Sequence, residues 1–500
     1  MPPTINRRSF IGSASALLVL VGCKKSEIIT TTPKPGNTVN TGSTNPDIPP
    51  KVYDQSLYST TELGPNLIKG TDFSKTLYGY TDKLSYKAGD MITLYYSGPE
   101  NPKQIITLSD FNGKIHATYT TSVKVQKVNT EKPWLDGCKF EKTGEFKLPD
   151  TLKPGVYRFR GTNYFVISDN ENPYDITIVY PTNTDNAYNY GGGKSAYDPD
   201  LGNRATVTSY LRYQDGLVGR KDFTSSFFFW MLTQNYNANY ITDADLDDYN
   251  NIQKSKLLMI VGHSEYWTRA ARENVDKFVA SGKNMLVLSG NTMYWQVRYN
   301  KKDNLMICYK DNNLDPLKDT PYSSILWETD FLKYPITSSI GADFSGGGYG
   351  SKLTNRQDGY KIVNDKSPLF EGTGLKNGDI LKIPTVEYDG APVVKMIMPG
   401  SKEIPVIDNS KLKFDKIELL GYDFAVNGGV EGPEKATNGL GTFIVFRKTP
   451  TSGTVVNTAT TDWCSKRGMA GADKEKVIRI TKNMIDKSLH GESLFTPQHA

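Results

Sequence analysis

The sequence predicts an α/β protein with an N-terminal β-sandwich, and three observations support this fold class. Short strand-like runs, separated by Gly, Pro, Asn and Asp, recur from about residue 75 to 168. After Pro173 the pattern changes to continuous apolar runs, which are typical of buried parallel strands. Stretches with helical spacing separate these runs, so we expect a parallel sheet that helices cover on both faces.

Residues 1–23 are predicted to be a lipoprotein signal peptide. Arg7 and Arg8 form a basic region, residues 10–21 are mostly apolar, and Gly22 directly precedes Cys23. The apolar run is shorter than the roughly 20 residues that span a bilayer. A small residue before a cysteine at this point is typical of a lipoprotein cleavage site, so we expect lipid on Cys23 to anchor an exported protein. The alternative is an ordinary secretory signal with a chance cysteine.

The rest of the chain divides into a tether and two predicted domains. Residues 24–52 are rich in Thr, Pro, Gly, Asn and Ser, a composition that predicts a flexible tether. We assign 53–170 to an immunoglobulin-like β-sandwich and 171–490 to the catalytic domain. Residues 6–11 also resemble a twin-arginine signal, so export follows either that route or the general secretory route. Either route leads to the cell envelope, in the periplasm or at the outer membrane.

Composition excludes several classes of function. The net charge is +5 with 23% charged residues, and these are interspersed without the basic stripe of a nucleic-acid binder. Besides Cys23, the cysteines are Cys138, Cys308 and Cys464, which are too few and too far apart for a disulfide framework or a zinc site. Four histidines in the whole chain nearly exclude a multi-histidine metal cluster. Any metal would therefore need oxygen ligands, and the 30 tyrosines are abundant candidates.

The individual elements follow from these patterns. Strands of the sandwich are predicted at Met91 to Tyr96, Gln104 to Leu108, His116 to Val123, Gly144 to Lys147 and Val156 to Phe159. Buried strands are predicted at Ile176 to Tyr180, Leu257 to Val261 and Met285 to Leu288, and helices at Phe223 to Gln234, Arg269 to Ser281 and Lys474 to Ser488. Further strands are expected around Met396, Leu419 and Phe443 to Phe446. The run 345–350 lacks the Lys-Ser/Thr ending of a phosphate loop, so we interpret it as an ordinary loop.

Polar residues follow the carboxyl ends of the three buried strands, where ligands bind in open parallel sheets. His263 and Glu265 come two residues apart after the second strand, so extended geometry would point both side chains to one side. An imidazole and a carboxylate so placed can share a metal ion, or one can bind metal while the other moves protons. A buried Glu is costly without a partner, which favours a functional role. The alternative is that the pair only holds the turn and the following helix.

Several motifs make the chain similar to the large (β) subunit of N,N-dimethylformamidase. They lie at 181–189, 192–195, 261–267, 289–298 and 308–310, and Thr-Thr-Asp-Trp at 460–463 is similar to the C-terminal signature of that family. The resemblance covers about residues 150 to 490. It implies a three-layer α/β/α catalytic domain, similar to class I glutamine amidotransferases but without their cysteine nucleophile.

The resemblance also implies a mononuclear ferric iron held by tyrosines and a glutamate. In this chain Tyr188 and Glu265 match two of those ligands. The second tyrosine is matched best by Tyr157, with Tyr164 as the alternative. Phenolate and carboxylate are hard anionic donors that suit ferric iron.

The implied function is hydrolysis of a small amide-type C–N bond at the cell envelope, with His263 and Glu387 as catalytic residues. The namesake enzyme works with a small partner subunit that this chain does not contain. Two alternatives stay open. One is a non-catalytic lipoprotein whose aromatic surface binds a glycan or peptide, and the other is an amidotransferase-like domain with a cysteine nucleophile. Cys308 and Cys464 do not follow a strand-to-helix elbow, which disfavours the last.

Overall fold

The structure, a computed structural model, describes residues 52–60, 71–197, 203–215, 222–351, 358–427 and 437–497. The predicted signal peptide, Cys23 and nearly all of the predicted tether lie outside these ranges. No helix among the described residues is both long enough and apolar enough to cross a membrane.

The first part of the described chain is a two-sheet sandwich. Its elements are β1 (Tyr78–Thr81), β2 (Ser85–Tyr86), β3 (Met91–Ser97), β4 (Asn101–Asp110), β5 (Ile115–Val123), α1 (Pro133–Asp136), β6 (Gly144–Lys147), β7 (Gly155–Phe159) and β8 (Tyr164–Ile167). One sheet has the order β1-β3-β6 and the other β2-β8-β7-β4-β5. Buried side chains of both sheets, among them Leu94, Tyr96, Ile106 and Phe159, form one core cluster. The five strands predicted here are all present, and the immunoglobulin-like class stays a prediction.

The second part is built around a large mixed sheet. The strands of this second part, in and beside the large sheet, are β9 (Ile176–Tyr180), β10 (Val207–Ser209), β11 (Ala238–Thr242), β12 (Leu257–Gly262), β13 (Tyr266–Trp267), β14 (Asn284–Ser289), β15 (Trp295–Gln296), β16 (Arg298–Asn300), β17 (Leu305–Ile307), β18 (Asp343–Tyr349), β19 (Gly359–Ile362), β20 (Ile380–Lys382), β21 (Glu387–Gly390), β22 (Lys416–Asn427), β23 (Thr437–Arg447) and β24 (Thr454–Asn457). Its helices are α2 (Thr182–Ala187), α3 (Ser225–Met231), α4 (Arg269–Ala280), α5 (Thr337–Ile340), α6 (Asn409–Leu412) and α7 (Lys474–His490).

Eleven strands belong to this sheet, and its main path is β11-β9-β12-β14-β24-β23-β22-β18-β21. The pairs from β11 to β24 are parallel, which confirms the predicted parallel sheet for these strands. From β24 onward the pairs are antiparallel, an extension that the sequence reasoning did not predict.

Helices cover both faces of the parallel strands. Along β12, Leu257, Met259 and Val261 pack in one cluster with side chains of α3 and α7. The alternate residues Leu258 and Ile260 pack in a second cluster with side chains of α4. Alternate side chains of a strand point to opposite faces of the sheet, and here both faces are buried. Every residue of the strand is therefore apolar, which explains the continuous apolar runs in the sequence.

Three predicted elements differ from the structure. Helix α3 is shorter than predicted, and Met396 lies outside the described strands. The run 345–350, interpreted as a loop, lies mostly in β18. A Cβ at Gly347 would come 2.1 Å from the Tyr388 carbonyl oxygen, so glycine lets the backbones approach closely. Because glycine carries no hydrophobic side chain, such a strand has no apolar pattern to detect.

Candidate active site

The loop after β12 begins at Gly262, whose backbone is left-handed with φ of 79°. A Cβ at this position would lie 2.3 Å from the Thr224 Cγ2 atom, so glycine allows both the turn and the close packing. Two residues later, the Ser264 amide donates a 3.2 Å hydrogen bond to the Ser289 hydroxyl. These contacts fix where the His263 side chain leaves the sheet.

Tyr188 and Glu265 are in direct contact. Tyr188 follows α2, and its hydroxyl donates a 2.8 Å hydrogen bond to Glu265 Oε2. The Glu265 amide donates to the Thr184 hydroxyl at 2.9 Å, which joins α2 to the loop after β12 a second time. The ring of Tyr188 stacks on Tyr197 with centroids 4.4 Å apart. The structure therefore brings together the two residues that were expected to share a metal ion.

His263 lies between two carboxylates. Its Nε2 atom is 3.1 Å from Glu387 Oε2 and 3.6 Å from Glu265 Oε2. The side chains of His263 and Glu265 are 1% and 3% exposed, whereas that of Glu387 is 12% exposed. An imidazole at this distance from two carboxylates can accept and return a proton. Glu387 marks the side of the cluster that is most open to solvent.

Glu387 begins β21, and a C-terminal segment holds it in place. The Thr461 amide donates to the Glu387 carbonyl at 3.1 Å, and the Glu387 amide donates to the Thr461 hydroxyl at 3.2 Å. The neighbouring Val386 amide donates to Asp462 Oδ2 at 2.8 Å. The Thr-Thr-Asp-Trp motif therefore acts as a clamp that sets the position of Glu387.

Asn291 completes the polar cluster, and sequence reasoning missed it. Its amide Nδ2 donates to Glu387 Oε2 at 3.4 Å. The residue has a left-handed backbone with φ of 47°, although it is not glycine. The signal was available, because Asn291 lies in the motif after the third buried strand. The motif was recognised as a whole, and no role was given to this amide.

Aromatic side chains surround this cluster. Phe344 packs edge-on against Tyr294 and Tyr349, with centroids 5.5 and 5.4 Å apart. Tyr349 is the cross-strand partner of Glu387, so both side chains lie on the same face of the sheet. Burial raises the pKa of Tyr294 and of Tyr349, and the charges of Glu387 and Glu265 raise both further. Sequence reasoning did not select either tyrosine.

Lys310 contributes a positive charge close to the same residues. Its Nζ atom donates a 2.8 Å hydrogen bond to the Tyr266 hydroxyl. The Nζ atom also lies 4.7 Å from the Trp295 ring centroid and 5.6 Å from that of Tyr197, distances at which a cation is attracted to a ring. The cation, which lies in the motif at 308–310, thus contacts two rings, Tyr197 and Tyr266, that also pack against Tyr188.

The structure does not bring Tyr157 to this cluster. Its ring packs in the core of the sandwich, and its hydroxyl donates a 2.9 Å hydrogen bond to the Lys153 carbonyl. Tyr164, the alternative, stacks on Phe111 with centroids 4.6 Å apart. Both tyrosines lie on the β7–β8 hairpin. Tyr157 was chosen because the motif Gly-Val-Tyr matches the family best, and a sequence match does not determine where a side chain points. Tyr157 is therefore a packing residue here.

The donor atoms present fit a hard cation. Tyr188 Oη and Glu265 Oε2 are 2.8 Å apart. Metal–oxygen bonds of about 2.0–2.2 Å at a right angle place two ligand oxygens about 2.8–3.1 Å apart, so this spacing suits neighbouring ligands of one ion. Among the residues that the structure describes, no group of three or more His, Cys, Asp and Glu side chains has a metal-binding arrangement. A metal site here would therefore depend on phenol oxygens.

The cysteines do not form a nucleophilic site. Cys138, Cys308 and Cys464 are free and buried. Burial raises the pKa of the Cys308 thiol to about 12 and that of Cys138 to about 11. Cys464 donates to the Leu288 carbonyl at 3.4 Å. Since the thiolate is the reactive form, these positions disfavour cysteine catalysis.

Two of the solved structures that this chain is similar to show only a weak overall likeness. One is a ThuA-like protein from Bacteroides uniformis ATCC 8492, with a TM-score of 0.30, 10% identity, and coverage of 63% of this chain and 92% of that one. The other is a β-galactosidase from Bacillus circulans sp. alkalophilus, with a TM-score of 0.27, 11% identity, and coverage of 61% and 31%. Likenesses at this level carry no argument about function. Comparison with curated proteins gives no match.

A family match covers more of the chain and includes the whole cluster. The family described as "N,N-dimethylformamidase beta subunit-like, C-terminal" matches residues 108–473. The match starts inside β4 of the sandwich and runs past the clamp at 460–463. This chain belongs to the N,N-dimethylformamidase beta subunit-like family.

Proposed function

We propose that this chain is a metal-dependent hydrolase that cleaves a small, non-peptide amide-type C–N bond. The observation that carries the proposal is the Tyr188–Glu265 hydrogen bond beside His263 and Glu387. Burying these ionisable groups together lowers stability, and a catalytic role accounts for their being retained. Family membership supports amide hydrolysis as the class of reaction.

We propose that Tyr188 and Glu265 hold a ferric ion. The two oxygens are hard, can both be anionic, and already lie at the spacing of neighbouring ligands. When bound, such an ion would polarise the amide carbonyl and acidify a water molecule. Tyr157 is left out of this set because its hydroxyl is directed to Lys153. Tyr349, the cross-strand partner of Glu387, and Tyr294, which contacts the same Phe344 ring as Tyr349, are the candidates for an additional donor.

The remaining polar groups would handle protons. His263 is placed to accept a proton from an attacking water molecule and to return it to the leaving amine, roles that suit imidazole near neutral pH. Glu387, 3.1 Å away, orients the imidazole and stabilises its positive charge in the transition state. Asn291 holds Glu387 in turn through its amide.

The surroundings favour a small substrate with apolar substituents. Tyr294, Trp295, Phe344 and Tyr349 form a connected series of ring contacts beside Glu387. Binding sites of this type combine apolar walls with a few polar groups that set orientation. A small N-alkyl amide matches such a lining, with its carbonyl directed toward Tyr188 and Glu265.

We also propose an envelope location and a partner. The basic region at Arg7 and Arg8, the apolar run and Cys23 support anchoring through lipid. The family name refers to the β subunit of an enzyme, which supports association with a smaller subunit encoded elsewhere.

A direct test measures amide hydrolysis by the purified protein supplied with ferrous or ferric iron. We expect release of formate from N,N-dimethylformamide, N-methylformamide or formamide, or of acetate from acetamide. Tyr188→Phe and Glu265→Gln should abolish it. Tyr119→Phe is the matched control, because the Tyr119 hydroxyl bonds only to the exposed sandwich residue Lys147. Binding of amides or glycans without hydrolysis, under every metal condition tried, would favour the non-catalytic alternative.

A further inference from the structure

The turn after β14 holds an unfavourable backbone conformation. Asn291 and Met293 have φ values of 47° and 59°, in the left-handed region that non-glycine residues avoid. Such conformations persist only where the surrounding structure enforces them, and they concentrate at functional sites. The residue before them, Gly290, is packed so tightly that a Cβ would come 2.4 Å from the Thr461 amide nitrogen. The turn therefore has little room to relax.

A buried carboxyl group helps to hold this turn. The Thr292 amide donates to Asp389 Oδ2 at 3.2 Å. Asp389 is fully buried, and its own amide donates to the Ala459 carbonyl at 3.0 Å. The carboxyl thus ties the loop after β14 to β21.

The same carboxyl is close to the proposed catalytic groups. Asp389 follows Glu387 by two residues on β21, so the two side chains lie on the same face. The turn that Asp389 holds carries Asn291, whose side chain donates to Glu387 Oε2. Glu387 in turn is 3.1 Å from His263.

The burial of Asp389 needs an explanation beyond packing. Its Oδ1 atom is buried and has no hydrogen-bond partner among the described residues, an arrangement that costs stability. Burial, together with the nearby charge of Asp343 on β18, raises the pKa of Asp389 to about 8. A protonated, neutral carboxyl group can still accept a hydrogen bond. Asparagine is also neutral and has an acceptor oxygen, so it would reproduce the hydrogen bond from the Thr292 amide.

We propose that Asp389 is a positioning residue, which holds the turn at 291–293 so that Asn291 orients Glu387 for proton transfer with His263. The hydrogen bond from the Thr292 amide to Asp389 fixes the backbone, and the backbone directs the Asn291 side chain. The catalytic part of this inference rests on the proposed function.

The test combines hydrogen exchange with kinetics on the iron-loaded protein. We compare Asp389→Leu, which removes the acceptors, with Asp389→Asn, which keeps them. Asp343→Leu is the matched control, since it removes another buried carboxyl, whose hydrogen bond goes to Gly346 and not to this turn. Thermal unfolding identifies any variant that fails to fold.

We expect Asp389→Leu to speed exchange of the Thr292 amide and to lower kcat by about 10- to 100-fold, the range found when supporting residues are removed. KM should change little. Asp389→Asn should show the wild-type rate of amide exchange in this turn and the wild-type kcat. Asp343→Leu should leave exchange in this turn unchanged. Combined with Asn291→Ala, Asp389→Leu should lower kcat no further than either change alone.

Unchanged exchange in Asp389→Leu would overturn the proposal, as would losses of kcat that multiply in the double variant. The exchange readout needs no substrate. If the wild-type protein hydrolyses no amide, the proposed function fails, and exchange alone still decides whether Asp389 holds the turn.

Discussion

At the scale of single residues, the proposed proton transfer depends on His263 and its two carboxylate neighbours, Glu265 and Glu387. Glu387→Gln keeps the shape of the side chain and removes its charge next to Nε2. We expect kcat to fall by about 10²- to 10⁴-fold, the usual contribution of a general acid–base system. Iron content should not change, because Glu387 is outside the proposed ligand pair. Glu403→Gln, at an exposed residue that pairs with Lys395, is the control. Full activity in Glu387→Gln would remove this residue from the mechanism.

Buried aspartates lead to a prediction about pH. Burial raises the pKa of Asp243, Asp389 and Asp423 to about 8 and that of Asp343 to about 7. In the unfolded chain these groups titrate near ~3.9. Between those values these groups bind more protons in the folded protein than in the unfolded chain. Their contribution to the free energy of unfolding is therefore highest below about pH 4 and is lost as the pH rises to about 8.

We therefore expect Tm to fall less steeply between pH 5 and 8 in Asp243→Asn than in the wild-type protein. Asp243 is a suitable site because it accepts a 2.7 Å hydrogen bond from the Asn183 amide, which asparagine can also accept. The exposed Asp303→Asn serves as the charge-matched control. Parallel Tm curves for Asp243→Asn and wild type would show that Asp243 is ionised in the folded state.

Sequence reasoning located some of these residues and missed others for physical reasons. His263 and Glu265 follow a strand that burial makes recognisable, so the contact with Tyr188, in the segment that follows the neighbouring strand β9, was foreseeable. Tyr157 was selected because the motif Gly-Val-Tyr matches the family best, and its side chain packs in the core of the sandwich. The turn after β14 positions Asn291, and no local sequence pattern reveals the backbone angles of that turn.

At the scale of elements, patterns of burial explain what could be predicted. Strands β6 and β9 begin and end at the predicted residues, because their patterns and flanking turn residues are clear. Strand β18 was missed because three consecutive glycines replace the apolar side chains that mark a strand. Its pairing with β21 and β22 is a long-range contact that a local pattern cannot contain.

The glycines of β18 lead to a prediction about that pairing. Gly347→Ala places a Cβ against the Tyr388 carbonyl, next to Glu387, and should displace β21. We expect a loss of stability of about 1–3 kcal/mol, typical of overpacking, together with a large loss of activity. Gly113→Ala is the control, because its φ is 79° and its surroundings are open. It should lower stability by about 1–2 kcal/mol through the backbone alone and leave activity unchanged. Wild-type activity in Gly347→Ala would show that this close approach does not position Glu387.

At the scale of the whole molecule, the cluster is assembled from distant segments. Tyr188 and Glu265 come from the parallel half of the sheet, and Glu387 comes from the antiparallel half. The clamp at 460–463 joins the halves, because it follows β24, the strand where parallel pairing ends. The sequence predicted the parallel half, and the antiparallel half depends on pairings such as that of Tyr349 with Val426, which no local pattern contains.

The location of the molecule is a separate prediction. If Cys23 carries lipid, cells that express the full chain should incorporate labelled palmitate into it and retain it in the membrane fraction. Cys23→Ser should lose the label, because serine cannot form the thioether. Cys138→Ser, at a buried cysteine, is the control and should keep the label. Equal labelling of wild type and Cys23→Ser would contradict lipid anchoring at this residue.

The central claim is that Tyr188 and Glu265 are ligands of one iron ion, and the absorption spectrum of the iron-loaded protein tests it most directly. We expect about one iron per chain and a visible tyrosinate-to-iron charge-transfer band. The band should weaken or shift in Tyr188→Phe, iron should be lost in Glu265→Gln, and Tyr157→Phe should match the wild type. Iron binding with the same band in Tyr188→Phe, or no iron binding by the wild-type protein, would contradict the account.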